Sequence, residues 1–142
     1  MSECPICKFR NPRATVTAVI LKNKKVLAAL RTEEPFKGSW DLIGGYMNEA
    51  ETPKGAMKRE IKEELGVDCE MKFLDFFPGT ASWQNQEFPI LSIAYLVKLN
   101  GSNFKLDPEI GKLKWFGRGD LPPIAFDSNQ KIIDYVKNRG LI

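Results

Sequence analysis

Hydrophobic and polar positions change their period along the chain in a way that separates strands from helices. Ala14 to Leu21 (ATVTAVIL) and Lys25 to Arg31 (KVLAALR) are β-rich runs parted by Lys22–Lys24, which predicts a hairpin. Glu33 to Ser39 reads as loop, punctuated by Pro35 and Gly38. Gly44-Gly45 follows a short apolar piece and predicts a backbone turn. Past it the period becomes helical: Met57, Ile61 and Leu65 recur every four residues and supply a stripe to bury. Thr52 as N-cap, Pro53 at the first helical position and Gly66 as the stop bound that helix. Glu70 to Phe77 and Phe88 to Leu99 read as strands around an aromatic and polar loop, Ser82 to Glu87. Lys112 to Phe116 is a further short strand. A last helix has Ile132, Ile133 and Val136 facing inward, Asp127 or Ser128 as its cap, and its end before Gly140. Helices that interrupt a larger number of strands predict a layered α/β or α+β domain.

Length and composition agree with one such domain. The chain has 142 residues, 43% of them hydrophobic and 27% charged. A domain of that size buries roughly 70% of the surface its unfolded chain exposes, so it needs no disulfide scaffold. The longest apolar stretch, Pro89 to Val97, is far short of the roughly 20 residues of a membrane helix, and no membrane partner is expected. Met1-Ser2-Glu3-Cys4 lacks the apolar core of an export signal, so a cytoplasmic location is expected. The 21 basic against 18 acidic residues leave a net charge of +3, spread without a stripe, and a nucleic-acid partner is not expected. Histidine is absent altogether. Ser-His-Asp and Cys-His catalysis, histidine bases and histidine metal ligands are thereby excluded, which leaves carboxylates, a metal, lysine, tyrosine or cysteine.

The helix from Pro53 carries the candidate chemistry. Glu60, Glu63 and Glu64 stand at i, i+3 and i+4 and share a face. A solvated helix tends to pair unlike charges four apart, whereas Lys54–Lys58, Lys58–Lys62 and Glu60–Glu64 are all like pairs, each costing about 0.2–0.5 kcal/mol. Only Arg59–Glu63 is opposite. Carboxylates gathered in one direction suit a hard divalent cation, and Mg²⁺ or Mn²⁺ takes one or two of them with phosphate and water.

Gly45, then Glu51 after five residues, then Arg59-Glu60-Ile61-Lys62-Glu63-Glu64-Leu65-Gly66-Val67 after seven more, resembles the complete Nudix box. Every fixed position of that box is filled. Lys37 to Gly44 is similar to the family's approach to it, with Ile43 where a proline is common. Glu109 before Trp115-Phe116, and Leu121 to Phe126 before the last helix, extend the likeness over residues 13–142. The resemblance implies an α/β/α sandwich with a mixed sheet and Mg²⁺- or Mn²⁺-dependent hydrolysis of a nucleoside diphosphate linked to another group. ADP-ribose-like or dinucleotide substrates lead, and nucleoside triphosphates follow. It implies Glu60, Glu63 and Glu64 as metal ligands, one of them able to serve instead as the base on water, and Gly44 as a carbonyl ligand. Glu51 would brace these ligands from behind next to Gly45, Arg59 would orient a glutamate, and Glu109 would add a ligand or base. Arg31 would contact substrate, and Trp83, Phe88, Phe36 and Trp40 are aromatic candidates for stacking a base. Glu87 is a further carboxylate in that loop.

Residues 1–12 resemble half of the zinc ribbon that precedes the Nudix domain in NADH pyrophosphatases, through Cys4-Pro5-Ile6-Cys7 and Arg10-Asn11-Pro12. Two thiols cannot complete a zinc shell in one chain, so less than one zinc per chain is expected, although two chains could share a site and a homodimer stays open. Cys69 reads as a buried free thiol. Two rivals are a non-catalytic nucleotide sensor on the same fold, which should have lost ligands, and an isoprenyl-diphosphate isomerase, which should show a cysteine in the cleft.

Overall fold

Strand β1 (Arg13–Lys22) runs through the centre of a mixed seven-stranded sheet in the computed structural model, which describes residues 3–142. Met1 and Ser2, which open the 1–12 segment, lie outside the described residues. β2 (Lys25–Arg31) follows across a turn at Asn23 and Lys24, both with left-handed φ, as the hairpin reading requires. β3 (Trp40–Asp41) and β4 (Ile43–Tyr46) precede α1 (Pro53–Leu65). β5 (Cys69–Trp83) and β6 (Gln86–Leu99) form a long hairpin, and β7 (Ile110–Gly117) and α2 (Asp127–Asn138) complete the chain. Among the described residues no helix is long and apolar enough to cross a membrane.

β1 lies parallel to β6 from Arg13↔Ile90 to Ile20↔Val97. Its other edge pairs antiparallel with β4 over Thr15–Ala18 and with β2 at Leu21 and Lys22. Alternation along β1 then builds two cores. Val16, Ala18 and Ile20 pack with Ala56, Met57, Ile61 and Leu65 of α1 on one face. Val19 packs with Ile132, Ile133 and Val136 of α2 on the other. The period-2 side chains of one strand thus feed both layers, and the α/β/α sandwich follows.

The ends of α1 are as expected. Thr52 Oγ1 accepts from the Gly55 amide at 3.1 Å, and Gly66 adopts a left-handed φ of 73° at the C-terminus. Three local expectations need correction. Gly44 and Gly45 are not a turn but the middle of β4, paired with Thr17 and Val16, because strand pairing to β1 overrides the local preference of Gly-Gly. Ser82 to Glu87 is not an open loop: β5 and β6 run almost to each other, and only Gln84 and Asn85, both left-handed, make the turn. α2 starts after Phe126, with no side-chain cap. Asp127 is its first residue and accepts instead from the Thr80 and Ser128 amides, both at 2.9 Å, which ties the helix to β5.

Candidate active site

The start of β1, β4, one side of α1 and the N-terminal end of α2 surround a cleft of about 1170 Å³. Gly44, Gly45, Glu60, Glu64 and Glu109 line it, together with Arg31, Trp83 and Phe88. Glu63 does not. Its side chain is 56% exposed and turns to Arg59 Nη1 at 3.3 Å. Three glutamates on one helical face thus become two in the cleft and one at its rim.

Arg59 organises this wall. Its Nε and Nη2 donate to the two oxygens of Glu51 at 2.6 and 2.9 Å, Nη2 also reaches the Tyr46 carbonyl at 3.1 Å, and Nη1 donates to Glu60 Oε1 at 2.9 Å. One planar guanidinium therefore joins the end of β4, the connection before α1 and the helix itself. The hydrogen bonds from Arg59 hold the Glu51 carboxyl down at about 2. Gly45 makes room for Glu60: a Cβ there would overlap the Glu60 carboxylate, with its second oxygen at 2.8 Å.

Glu64 lies deeper and, among the described residues, forms no ion pair. Burial first, and then the charges of Glu60, Asp41 and Asp107, push its carboxyl up to about 9. Burial also raises Glu60, offset in part by Arg59. Two desolvated carboxyl groups facing each other and further acids form a donor set that fits a hard divalent cation, which would replace the shared proton and relieve the repulsion. Two such ligands are within what Mg²⁺ ordinarily takes from protein.

The cleft floor is polar and was missed by sequence reasoning. Ser92 and Thr17 hydroxyls meet at 2.6 Å, Thr17 donates to Asn129 Oδ1 at 3.2 Å, and Asn129 Nδ2 donates to Asp41 Oδ1 at 2.7 Å. Asp41 Oδ2 then pairs with Arg31 Nη1 at 3.2 Å, whose Nε donates to the Pro35 carbonyl at 2.7 Å. Burial lifts the Asp41 carboxyl to about 6 against the bonds from Asn129 and Arg31. The available signal was a hydroxyl inside an apolar run at Thr17 and at Ser92, but its partners sit 75 and 112 residues away.

At the other end of the cleft, Phe88 is buried beneath the Arg13 guanidinium, 4.4 Å from its ring centre, and clusters with Ala81, Ile90 and Phe126. Trp83 is 61% exposed at the mouth. Phe36 stacks edge-on against Phe126, and Trp40 packs against Phe116, outside the cleft lining. Glu109 stands just before β7, where its carbonyl accepts from Thr32 Oγ1 at 2.6 Å. Glu87 is also outside the lining; its carbonyl accepts from Arg10. None of the three cysteines lines the cleft, which removes the feature an isomerase of this fold would need.

Known proteins share the family and the fold. The model of the NUDIX domain matches residues 11–136. The ADP-ribose pyrophosphatase of Methanocaldococcus jannaschii is 31% identical over 131 residues, covering 91% of this chain and 76% of that protein. The NAD-capped RNA hydrolase NudC of Vibrio vulnificus is 28% identical over 127 residues, which are 87% of this chain and 46% of NudC, so the chain spans less than half of that relative. Among solved structures, a MutT NUDIX hydrolase from Burkholderia pseudomallei superposes with a TM-score of 0.78 at 27% identity, covering 89% and 98% of the two chains.

Proposed function

The chain belongs to the Nudix family of hydrolases, and from that membership we propose that it cleaves the diphosphate bond of a small nucleotide in which a nucleoside diphosphate is linked to another group. ADP-ribose-like and dinucleotide compounds come first, nucleoside triphosphates next. The observation that carries this reading is the cleft itself: part-buried Glu64, which has no cationic partner among the described residues, beside Glu60 on one wall, with Arg13, Arg31, Phe88 and Trp83 lining the same space. Its volume exceeds the range of about 300–1,000 Å³ usual for small-ligand sites, room enough for a substrate with two halves joined through phosphates.

Glu60 and Glu64 would hold Mg²⁺ or Mn²⁺, with the Gly44 carbonyl beside them and Glu63 reaching in from the rim once its contact with Arg59 is released. The bound cation supplies charge neutralisation at the diphosphate and acidifies a water for in-line attack. Arg59 and Glu51 keep Glu60 aimed at the cleft. Glu109, or one glutamate of the helix, accepts the proton that the attacking water gives up. Arg31, fixed by Asp41 and Pro35, presents its remaining donors to a phosphate or base, and Phe88 with Trp83 offers apolar faces to a nucleobase.

A panel of ADP-ribose, dinucleoside polyphosphates, NADH and nucleoside triphosphates, assayed with Mg²⁺ and with Mn²⁺ and resolved by ion exchange, tests the proposal. ADP-ribose or a dinucleotide should be hydrolysed fastest. Turnover should vanish in excess EDTA and return with the cation. Undiminished hydrolysis in EDTA would remove the metal reading, and a preference for triphosphates would reverse the order of substrates.

A further inference from the structure

The segment before β1 carries chemistry that the cleft does not use. Cys4 and Cys7 lie on a closed turn in which the Cys4 amide donates to the Phe9 carbonyl at 2.8 Å and the Lys8 amide to the Cys4 carbonyl at 2.9 Å. Lys8 reverses the chain with a left-handed φ of 67°. Arg10 Nη2 fastens the turn to β6 by donating to the Glu87 carbonyl at 3.2 Å. Both thiols are free, Cys7 exposed and Cys4 half-buried. Beside them stand Ile6 and Phe9, at 91% and 72% exposure the most exposed large apolar side chains among the described residues.

A Cys-x-x-Cys pair on a tight turn is half of a tetrahedral thiolate site, and structural zinc takes four ligands. The 142 residues hold no second such pair. The chain has no histidine, its third cysteine is buried on β5, and among the described residues no group of three or more histidine, cysteine, aspartate or glutamate side chains is placed to hold a metal. A two-fold axis through a metal would supply the other half, because an isologous contact brings the same two thiols from a second copy. The same axis would set Ile6 and Phe9 of each chain near their counterparts and cover them. Charge agrees as well: a zinc ion with four thiolates carries two net negative charges, and each chain contributes Lys8, whose Nζ lies on the turn at 2.8 Å from the Pro5 carbonyl.

We propose that Cys4 and Cys7 form half of a zinc site that closes with the same pair of a second copy, so that one metal ties two chains together. Each sulfur exchanges its proton for a bond to zinc, four protons pass to solvent, and the metal keeps its oxidation state.

The test uses the full untagged chain, kept reduced and purified with zinc and without chelator. Elemental analysis should find one zinc for every two chains, and light scattering should give the mass of a dimer. A strong zinc chelator with reductant should remove the metal and halve the mass. Cobalt exchanged into the site should show the absorption of a tetrahedral tetrathiolate. The Cys4→Ser/Cys7→Ser double variant should lose both zinc and the dimer while its Mg²⁺-supported turnover stays at the parent level. One zinc per monomer, no zinc uptake on equimolar addition, or a dimer that persists in the double variant would each overturn the shared site.

Discussion

At Glu64, burial and the charges of Glu60, Asp41 and Asp107 all act in one direction and keep the carboxyl protonated up to about pH 9. The consequence for stability has a definite sign. An acid whose folded-state pKa lies above its unfolded value stabilises the fold while protonated and loses that contribution as pH rises through the interval between the two. Without metal, stability should therefore decline from about pH 4.5 toward 9 through Glu64, and from about 4 to 6 through Asp41. Glu51, lowered to about 2, acts oppositely and adds stability between about pH 2 and 4.5. Thermal melts across pH in EDTA should thus show an optimum in mildly acidic buffer, and saturating Mg²⁺ or Mn²⁺ should raise the melting temperature increasingly as pH rises. A metal-free optimum above pH 7 would contradict this. Glu64→Gln removes the ionisable group at nearly constant size. Its activity should fall at least about a hundredfold, its metal-free stability should hold or rise slightly above pH 5, and its metal-induced melting shift should shrink. Near-normal turnover in this variant would take Glu64 out of the metal site.

Among the elements, α1 was legible from end to end because its signals are local: a capping threonine, a proline, an aliphatic stripe and a left-handed glycine. β4 was not, because what makes Gly44-Gly45 a strand is the neighbouring β1, 27 residues earlier along the ladder at Thr17↔Gly44. The same division runs through the site. The box on α1 announces itself by spacing, whereas Asp41, Thr17, Ser92 and Asn129 meet only through tertiary packing, each on a different element. Exposure of Glu63 and the Arg59 contact that holds it outward are likewise invisible to helical periodicity. β4 also separates two glycines by consequence. A Cβ on Gly44 would run into the Val16 carbonyl, a backbone atom that cannot yield without breaking the ladder, while the nearest atoms to a Cβ on Gly45 are those at the end of the Glu60 side chain. Gly44→Ala should therefore unfold the protein or lower its melting temperature severely. Gly45→Ala should fold, displace the Glu60 carboxylate and lose most of its turnover and metal response. Circular dichroism melts with metal titrations compare the two directly, and equal stability of both variants would refute the distinction.

For the whole molecule, the sheet distributes protection unevenly. β1 is hydrogen-bonded on both edges and covered on both faces, while the β5–β6 hairpin ends in an exposed turn at Gln84 and Asn85 beside the cleft mouth. Native-state hydrogen exchange should find the amides of Val16 to Ile20 opening only with global unfolding and those at the hairpin tip exchanging with far smaller free energies. Comparable protection at both places would mean that the tip is held by contacts not described above. The parallel pairing of β1 with β6 also fixes an order in time. On a chain made from its N-terminus, β1 is complete at Lys22, but the strand that must lie beside it ends only at Leu99. Until then β1 can recruit only β2, through two residue pairs, and β4, through four, and the apolar run from Val16 to Leu21 has no neighbour along its other edge. Closing the loop between these strands must be paid for in chain entropy before their contacts return anything. A nascent chain halted before β6 therefore leaves that edge open to other strands, and it is during synthesis, before the sheet closes, that this protein is most exposed to aggregation.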